Sequence, residues 1–156
     1  MPRKKRQFRK PAQADPIYNS ELLNHFINKI LKKGKKVKAQ GIVYGAIKII
    51  DDKGAKPGIE VFQQAIEKCR PLVEVKPRRV GGATLQVPVE VDSRRGINLS
   101  MGWIVDAAAK RAGKSMAEKI AYEMIDAVSE TGSAFKKKSD VHRMAEANKS
   151  YSHYRW

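Results

Sequence analysis

The sequence is poor in the residues that build covalent or metal-held frameworks. Its 156 residues include one cysteine, Cys69, so a disulfide within the chain is excluded. Cys69 stands near the end of an apolar helical pattern, a place that suits a small buried hydrophobe better than a nucleophile. The three histidines, His25, His142 and His153, lie far apart and make no recognised metal spacing with a single cysteine. No metal or cofactor is expected, and no nucleophile–base constellation is legible. Residues 108–115 read AAKRAGKS, one glycine short of a phosphate loop, and they join two helices instead of a strand and a helix. No apolar run approaches the ~20 residues of a membrane span. Residues 7–19 are polar and proline-containing where a signal peptide needs an apolar core. A soluble, intracellular protein with no catalytic site and no membrane partner is expected.

Acids are scarce too. Lys and Arg number 32 against 16 Asp and Glu, a formal charge of +16. Such a surplus costs self-repulsion and makes most sense when a polyanion neutralises it. The cations are clustered rather than mixed with acids. Arg3, Lys4, Lys5, Arg6, Arg9 and Lys10 crowd the first ten residues with no acid among them. Lys29, Lys32, Lys33, Lys35, Lys36 and Lys38 crowd residues 29–38 in the same way. Clustering of this kind is the footprint of a nucleic-acid binder. Residues 1–18, dense in charge and proline, read as a basic disordered arm that orders on binding.

Strand signals are confined to residues 72–91, LVEVKPRRVGGATLQVPVEV, which read as a β-hairpin. Val73, Val75 and Arg79 alternate on one face of the first arm, and Leu85, Val87, Val89 and Val91 on one face of the second. Gly81-Gly82 supply the reversal. Pro77 and Pro88 each remove a ladder donor, which fits the edges of a two-stranded ribbon. A lone hairpin is marginal in water, so its base must pack on helices while its tip projects. At ~3.3 Å per residue, arms of about eight residues hold that tip roughly 25 Å out. The tip carries Lys76, Arg78 and Arg79 with no acid nearby.

The remainder reads as helices around one core, residues 19–148 in all. The first helix opens at Asn19 or Ser20, buries Leu22, Leu23, Phe26, Ile27, Ile30 and Leu31, and is expected to end on Gly34 as a left-handed cap. A second, from about Lys36 to Asp51, has Val37, Ile42, Val43, Ala46, Ile47 and Ile50 as its apolar face. The LKKGKK link thus concentrates charge at a tight corner. A third follows Pro57 and carries Val61, Phe62, Ala65, Ile66 and Cys69. After the hairpin, Asp92 or Ser93 caps a fourth helix near the centre of the bundle. Arg94 and Arg95 sit in its first turn, where the dipole disfavours cations and a bound phosphate relieves them. Ser115 to Glu118 form a capping box that opens a fifth. Lys110, Arg111 and Lys114 make a cationic corner before it. A sixth, from about Ser133 to Asn148, has Lys136, Lys137 and Lys138 at its head and only a weak apolar stripe, Phe135, Val141, Met144 and Ala145. It belongs on the outside. Residues 149–156 form an aromatic, basic tail with Tyr151, His153, Tyr154, Arg155 and Trp156, suited to stacking on bases or docking on a protein. The fold class is mainly α: a single-domain bundle of about six helices with one β-hairpin protruding between the third and fourth.

Charge alone leaves RNA and duplex DNA close together. An architectural DNA-binding protein with a β-ribbon arm in the minor groove is the alternative. Ser20, Leu22, Phe26-Ile27, Gly34-Lys35-Lys36, Ile42-Val43 and Ala46, in this spacing, resemble the signature of the bacterial small-subunit ribosomal protein S7 family. RRVGGATLQVPVEV at the hairpin, SRRG with the tryptophan helix beyond it, and EANKSYSHYRW at the end agree with it. The resemblance therefore covers essentially the whole chain. It implies a cytoplasmic, ribosome-bound monomer that binds the 3′ major domain of 16S ribosomal RNA and nucleates assembly of the subunit head. It implies further that the protein faces exit-site transfer RNA and the messenger path, with ribosomal protein S11 as neighbour. Carried onto this chain, ribosomal-RNA contact falls to Arg3, Lys4, Lys5, Arg6, Arg9 and Lys10, and to Lys32, Lys33, Lys35, Lys36 and Lys38. It extends to Lys76, Arg78, Arg79, Arg94 and Arg95, and to Lys110, Arg111 and Lys114. Transfer RNA falls to Arg79, Val80, Gly81 and Gly82 at the tip and to Lys136, Lys137 and Lys138. The protein neighbour falls to Tyr151, His153, Tyr154 and Trp156.

Overall fold

A computed structural model describes residues 13–54 and 56–154. The arm cations Arg3 to Lys10, and Trp156 at the other end, lie outside the described residues. The described chain forms α1 (Glu21–Ile30), α2 (Lys36–Lys53), α3 (Gly58–Cys69), β1 (Val73–Val80), β2 (Ala83–Glu90), α4 (Ser93–Lys110), α5 (Met116–Val128), α6 (Ser133–Ala147) and a terminal 3-10 segment, Lys149–Tyr154. The architecture is the expected helical bundle with a two-stranded antiparallel hairpin between α3 and α4.

Local signals open most helices where expected. The Ser20 hydroxyl accepts from Leu23 N–H at 3.3 Å, and Ser115 accepts from Glu118 N–H at 3.2 Å. The capping box differs in its return bond: Glu118 accepts from Lys114 N–H, one residue before the cap. At the other end of α1 the expectation fails. The helix stops at Ile30, Leu31 is already extended, and Lys33 and Gly34 both take left-handed φ of 53° and 71°. Gly34 therefore turns the link and does not cap α1, and Lys29 alone faces the negative end of its dipole.

The core draws on α1 to α5, with Leu23, Phe26, Val43, Ile47, Phe62, Ile66, Ile104, Ile120 and Met124 at or near zero exposure. Phe26 meets Phe62 edge-on at 5.3 Å between centroids. Val37, expected in this core, is 81% exposed, because the first turn of α2 overhangs the link; Ala39 takes the inward position. Both α4 and α5 touch four other helices and share the centre. However, α4 leaves Ile97, Leu99, Trp103 and Val105 half-exposed along its border with α1. Residues 13–18, read as part of a disordered arm, pack on the bundle. Asp15 is buried, caps Ile17 and Tyr18 N–H, and accepts from the Tyr44 hydroxyl at 2.7 Å. Burial, followed by this bond to Asp15, pushes the Tyr44 phenol up to about 12. Apolar periodicity could not reveal that anchor, because it is polar.

The hairpin turns at Gly81 and Gly82, whose φ of 56° and 90° are the paired positive values of a type I′ reversal. A two-residue turn pairs odd with even positions, Val75 with Pro88 and Lys76 with Val87. The two apolar sets consequently lie on opposite faces of the ribbon. One face buries Val87 and Glu74 while the other buries Pro88. α6 runs along the hairpin and contributes little apolar area, with only Ala134 and Ala145 buried. Met144, expected as packing, is exposed. Polar bonds fasten this layer instead: Leu72 N–H donates to His142 Nε2 at 3.1 Å, and Lys138 donates to the Lys68 carbonyl at 2.8 Å.

Candidate nucleic-acid interface

The expected cations divide into those held inside the fold and those left facing solvent. Arg111 belongs to the first group. Its guanidinium donates to Glu123 at 2.7 Å and also pairs with Asp126. Glu123 is only 2% exposed, and its other oxygen accepts from Ala134 N–H at 2.9 Å. One arginine thereby ties the end of α4 to α5 and the head of α6. Arg95 is also engaged, clasping Glu74 through Nε and Nη2 at 2.8–3.0 Å. Burial pushes the Glu74 carboxyl up, but hydrogen bonds from Arg95 and Lys76 outweigh it and hold it below the usual carboxylate range. The conflict foreseen in the first turn of α4 is therefore eased at Arg95 by an internal acid, Glu74. Arg78, expected at a bare tip, donates to the carbonyl of Tyr154, so the terminal 3-10 segment is bound to β2 and to this side chain. Lys138 is half-buried against α3, while Lys136 and Lys137 are exposed.

The second group is concentrated along one seam. α1 lies beside α4, and three grooves follow their border in succession. The first is lined by His25, Asp92 and Arg94; the second by Lys29, Asn98 and Trp103; the third by Lys29, Lys32, Lys35 and Lys38. At 1.5 Å per residue, the stretch of α4 from Arg94 to Ala109 spans roughly 22 Å. The seam thus brings Arg94 and the corner lysines, distant in sequence, onto one continuous face. Lys32, Lys33, Lys35, Lys36 and Lys38 are all exposed and make no ion pair among the described residues. They surround the start of α2, which has neither a side-chain cap nor an acid in its first turn. Cations and open amide donors converge there, an arrangement that favours an anion.

Arg79 is exposed near the turn, and Lys76 is exposed but leans on Glu74 at 3.3 Å. Lys110 and Lys114 are exposed at the far end of α4. The hairpin tip and the head of α6 are not brought together. α6 runs beside β1 with His142 at the base of the hairpin, so Lys136 and Lys137 lie beyond that base, at the opposite end from the tip. Sequence reasoning missed one seam residue, Asp106, and counted Lys29 in the basic cluster without carrying it over as a contact. Asp106 was within reach of it: the residue stands four residues after Gly102 and four before Lys110, on the face of α4 that carries its small residues. No group of three or more His, Cys, Asp or Glu able to hold a metal occurs among the described residues. None of the helices there is long and apolar enough to cross a membrane.

A helical bundle with a cationic seam and a basic β-arm defines a class, the nucleic-acid-binding protein. Residues 2–149 match the family model described as Ribosomal protein S7p/S5e. The chain is 53% identical over 154 residues to the small ribosomal subunit protein uS7 of Nautilia profundicola, covering 99% of each chain. It is 50% identical over 156 residues to that of Thermomicrobium roseum, covering both in full. It is 55% identical over 142 residues to that of Sulfurimonas denitrificans, covering 91% of this chain and 92% of the relative. The chain belongs to the ribosomal protein S7 family. It is a ribosomal protein of the small subunit and not an enzyme.

Proposed function

We propose that the protein binds the 3′ major domain of 16S ribosomal RNA and nucleates assembly of the subunit head by holding distant RNA segments in one arrangement. The observation that carries this reading is the α1–α4 seam with its unpaired corner lysines. A rigid bundle presents Arg94, Lys29 and Lys32–Lys38 at fixed separations, and the basic residues 3–10 add charge beyond it. Arg79, Val80, Gly81 and Gly82 at the projecting tip are the proposed contact for exit-site transfer RNA near the messenger path, with Lys136 and Lys137 as a separate patch. The 3-10 segment, with Tyr151 and His153 exposed, is the proposed contact for ribosomal protein S11. Arg95 and Arg111 act chiefly within the fold. The architectural DNA reading keeps only part of its wedge: Pro88 is buried at the hairpin base, while Pro77 on β1 is exposed.

The test is the salt dependence of binding to a 16S 3′ major-domain fragment. Each neutralised phosphate contributes a slope of about −0.7 to −0.9 in log K against log salt. The seam and arm together should give a slope steeper than about −4. A slope shallower than about −2, or equal affinity for duplex DNA of the same length, overturns the multi-point RNA reading.

A further inference from the structure

The third groove of the seam has a feature that charge neutralisation alone does not account for. Its rim carries Lys29, Lys32, Lys35 and Lys38, yet α4 places one carboxylate, Asp106, in the same groove. Asp106 is exposed and forms no ion pair among the described residues. A carboxylate facing incoming phosphates weakens binding unless it meets a donor. Beneath the rim the groove is apolar, floored by Ile30, Ala39, Ile42, Val105 and Met116, with a volume of about 480 Å³. That lies within the size range of small-ligand clefts. A methyl group at Gly102 would sit 3.4 Å from Lys29 Cε, in ordinary contact, so the Lys29 stem lies close along α4 in the seam.

From this combination we infer that the groove is the seat of an unpaired guanosine, whose exocyclic amino group and ring N–H lie on one edge. The base lies on the apolar floor, its amino edge donates to Asp106, and its flanking phosphates rest on the lysines. Single-stranded bases splayed out of a helix are the usual targets of sequence-specific RNA readers, and carboxylates read amino groups. Charge complementarity favours this occupant over an acidic peptide, whose carboxylates would suit the rim lysines but would lack the flat face and amino edge that a base brings to the apolar floor and Asp106 together. The inference rests on the RNA reading above and adds a base-specific point to it.

The probes are three fluorescent oligouridylates of equal length: all-uridine, one with a single central guanosine, and one with a central abasic site. The wild-type full chain should bind the guanosine probe about tenfold more tightly than the all-uridine probe, the scale of one good base contact. The abasic probe should bind no better than all-uridine. Asp106→Ala and Ala109→Trp both alter exposed positions on α4, and thermal unfolding should confirm intact folds. Each should abolish the guanosine preference while leaving the salt slope unchanged. Neutralising Lys32, Lys35 and Lys38 to Gln should instead lower affinity for all three probes. If the lysine variants weaken binding but no base preference exists, or the preference survives Asp106→Ala and Ala109→Trp, the nucleotide seat is refuted and the RNA reading stands. If the lysine variants lose nothing, the RNA reading of this corner fails as well. If a Glu- and Leu-rich amphipathic peptide binds and Ala109→Trp abolishes it without any base preference, the groove docks protein and the inference is wrong.

Discussion

Replacing Arg111 separates a structural cation from an RNA-binding one more cleanly than any other single change. In the native fold its guanidinium satisfies Glu123, a carboxylate 2% exposed, and Asp126 beside it. Arg111→Met leaves Glu123 buried with one remaining donor, the amide of Ala134. Removing one partner of a buried pair costs about 3–5 kcal/mol. The side chain of Arg111 is itself 31% exposed, so water can reach the vacated site and the lower end, about 3 kcal/mol, applies. For a chain of this size 1 kcal/mol shifts the midpoint by about 2–4 °C, which predicts a fall of about 6–12 °C. The double variant Arg111→Met, Glu123→Gln should recover most of that loss, because a neutral amide oxygen still accepts from Ala134. RNA affinity, measured below the unfolding range, should keep its salt slope. Differential scanning fluorimetry beside filter binding at several salt concentrations decides the matter. A midpoint shift under about 2 °C with a slope lowered by nearly one unit would mean that Arg111 is a phosphate contact and that the ion-pair reasoning is wrong.

Val87→Asp places an unpaired charge at a position 2% exposed and should cost about 3 kcal/mol or more, whereas Val89→Asp, at a half-buried site, should cost less. Equal urea midpoints for the two would contradict the observed register. Acid should loosen the hairpin base in two stages. Burial, then Lys138, lowers the His142 imidazole below its ordinary 6.5, so its contribution is present above that value and fades as pH falls through it. Glu74 is likewise depressed, so the Arg95 clasp persists above its ordinary 4.5 and is lost below it. Amide exchange at Leu72 and the paired β1 residues reports both, and protection that stays flat from about pH 7 to pH 3 would refute the assignment. Burial followed by the nearby Glu123 pushes the Cys69 thiol up to about 11, so alkylation at about pH 8 should wait for unfolding. Prompt labelling of the native protein would show that α3 opens locally.

Much of this protein was determined by sequence patterns of short range. Helical spacing at Leu23, Phe26, Ile27 and Ile30 and at Val61, Phe62, Ala65 and Cys69 marks buried faces, because water rejects the same side chains in any helix. Gly81-Gly82 between alternating arms specifies the hairpin and its register, because two-residue turns that match the twist of the strands need positive φ at one or both positions. The acid-free run at Lys32–Lys38 is exposed in the fold for the same elementary reason, that lysines stay in water. What the sequence could not determine is which cations are already spoken for. Arg78, Arg95 and Arg111 look like the corner lysines in one dimension, and all three find partners 12 to 76 residues away, at Glu123, Glu74 and Tyr154. The anchoring of residues 13–18 through Asp15 and Tyr44 depends on a pair 29 residues apart. The alignment of Arg94 with Lys29 and Lys38, and the place of Asp106 among them, depend on α1 lying beside α4. Packing alone decides these, because ion pairs and grooves are set by distances in space, and periodicity carries information only along the chain.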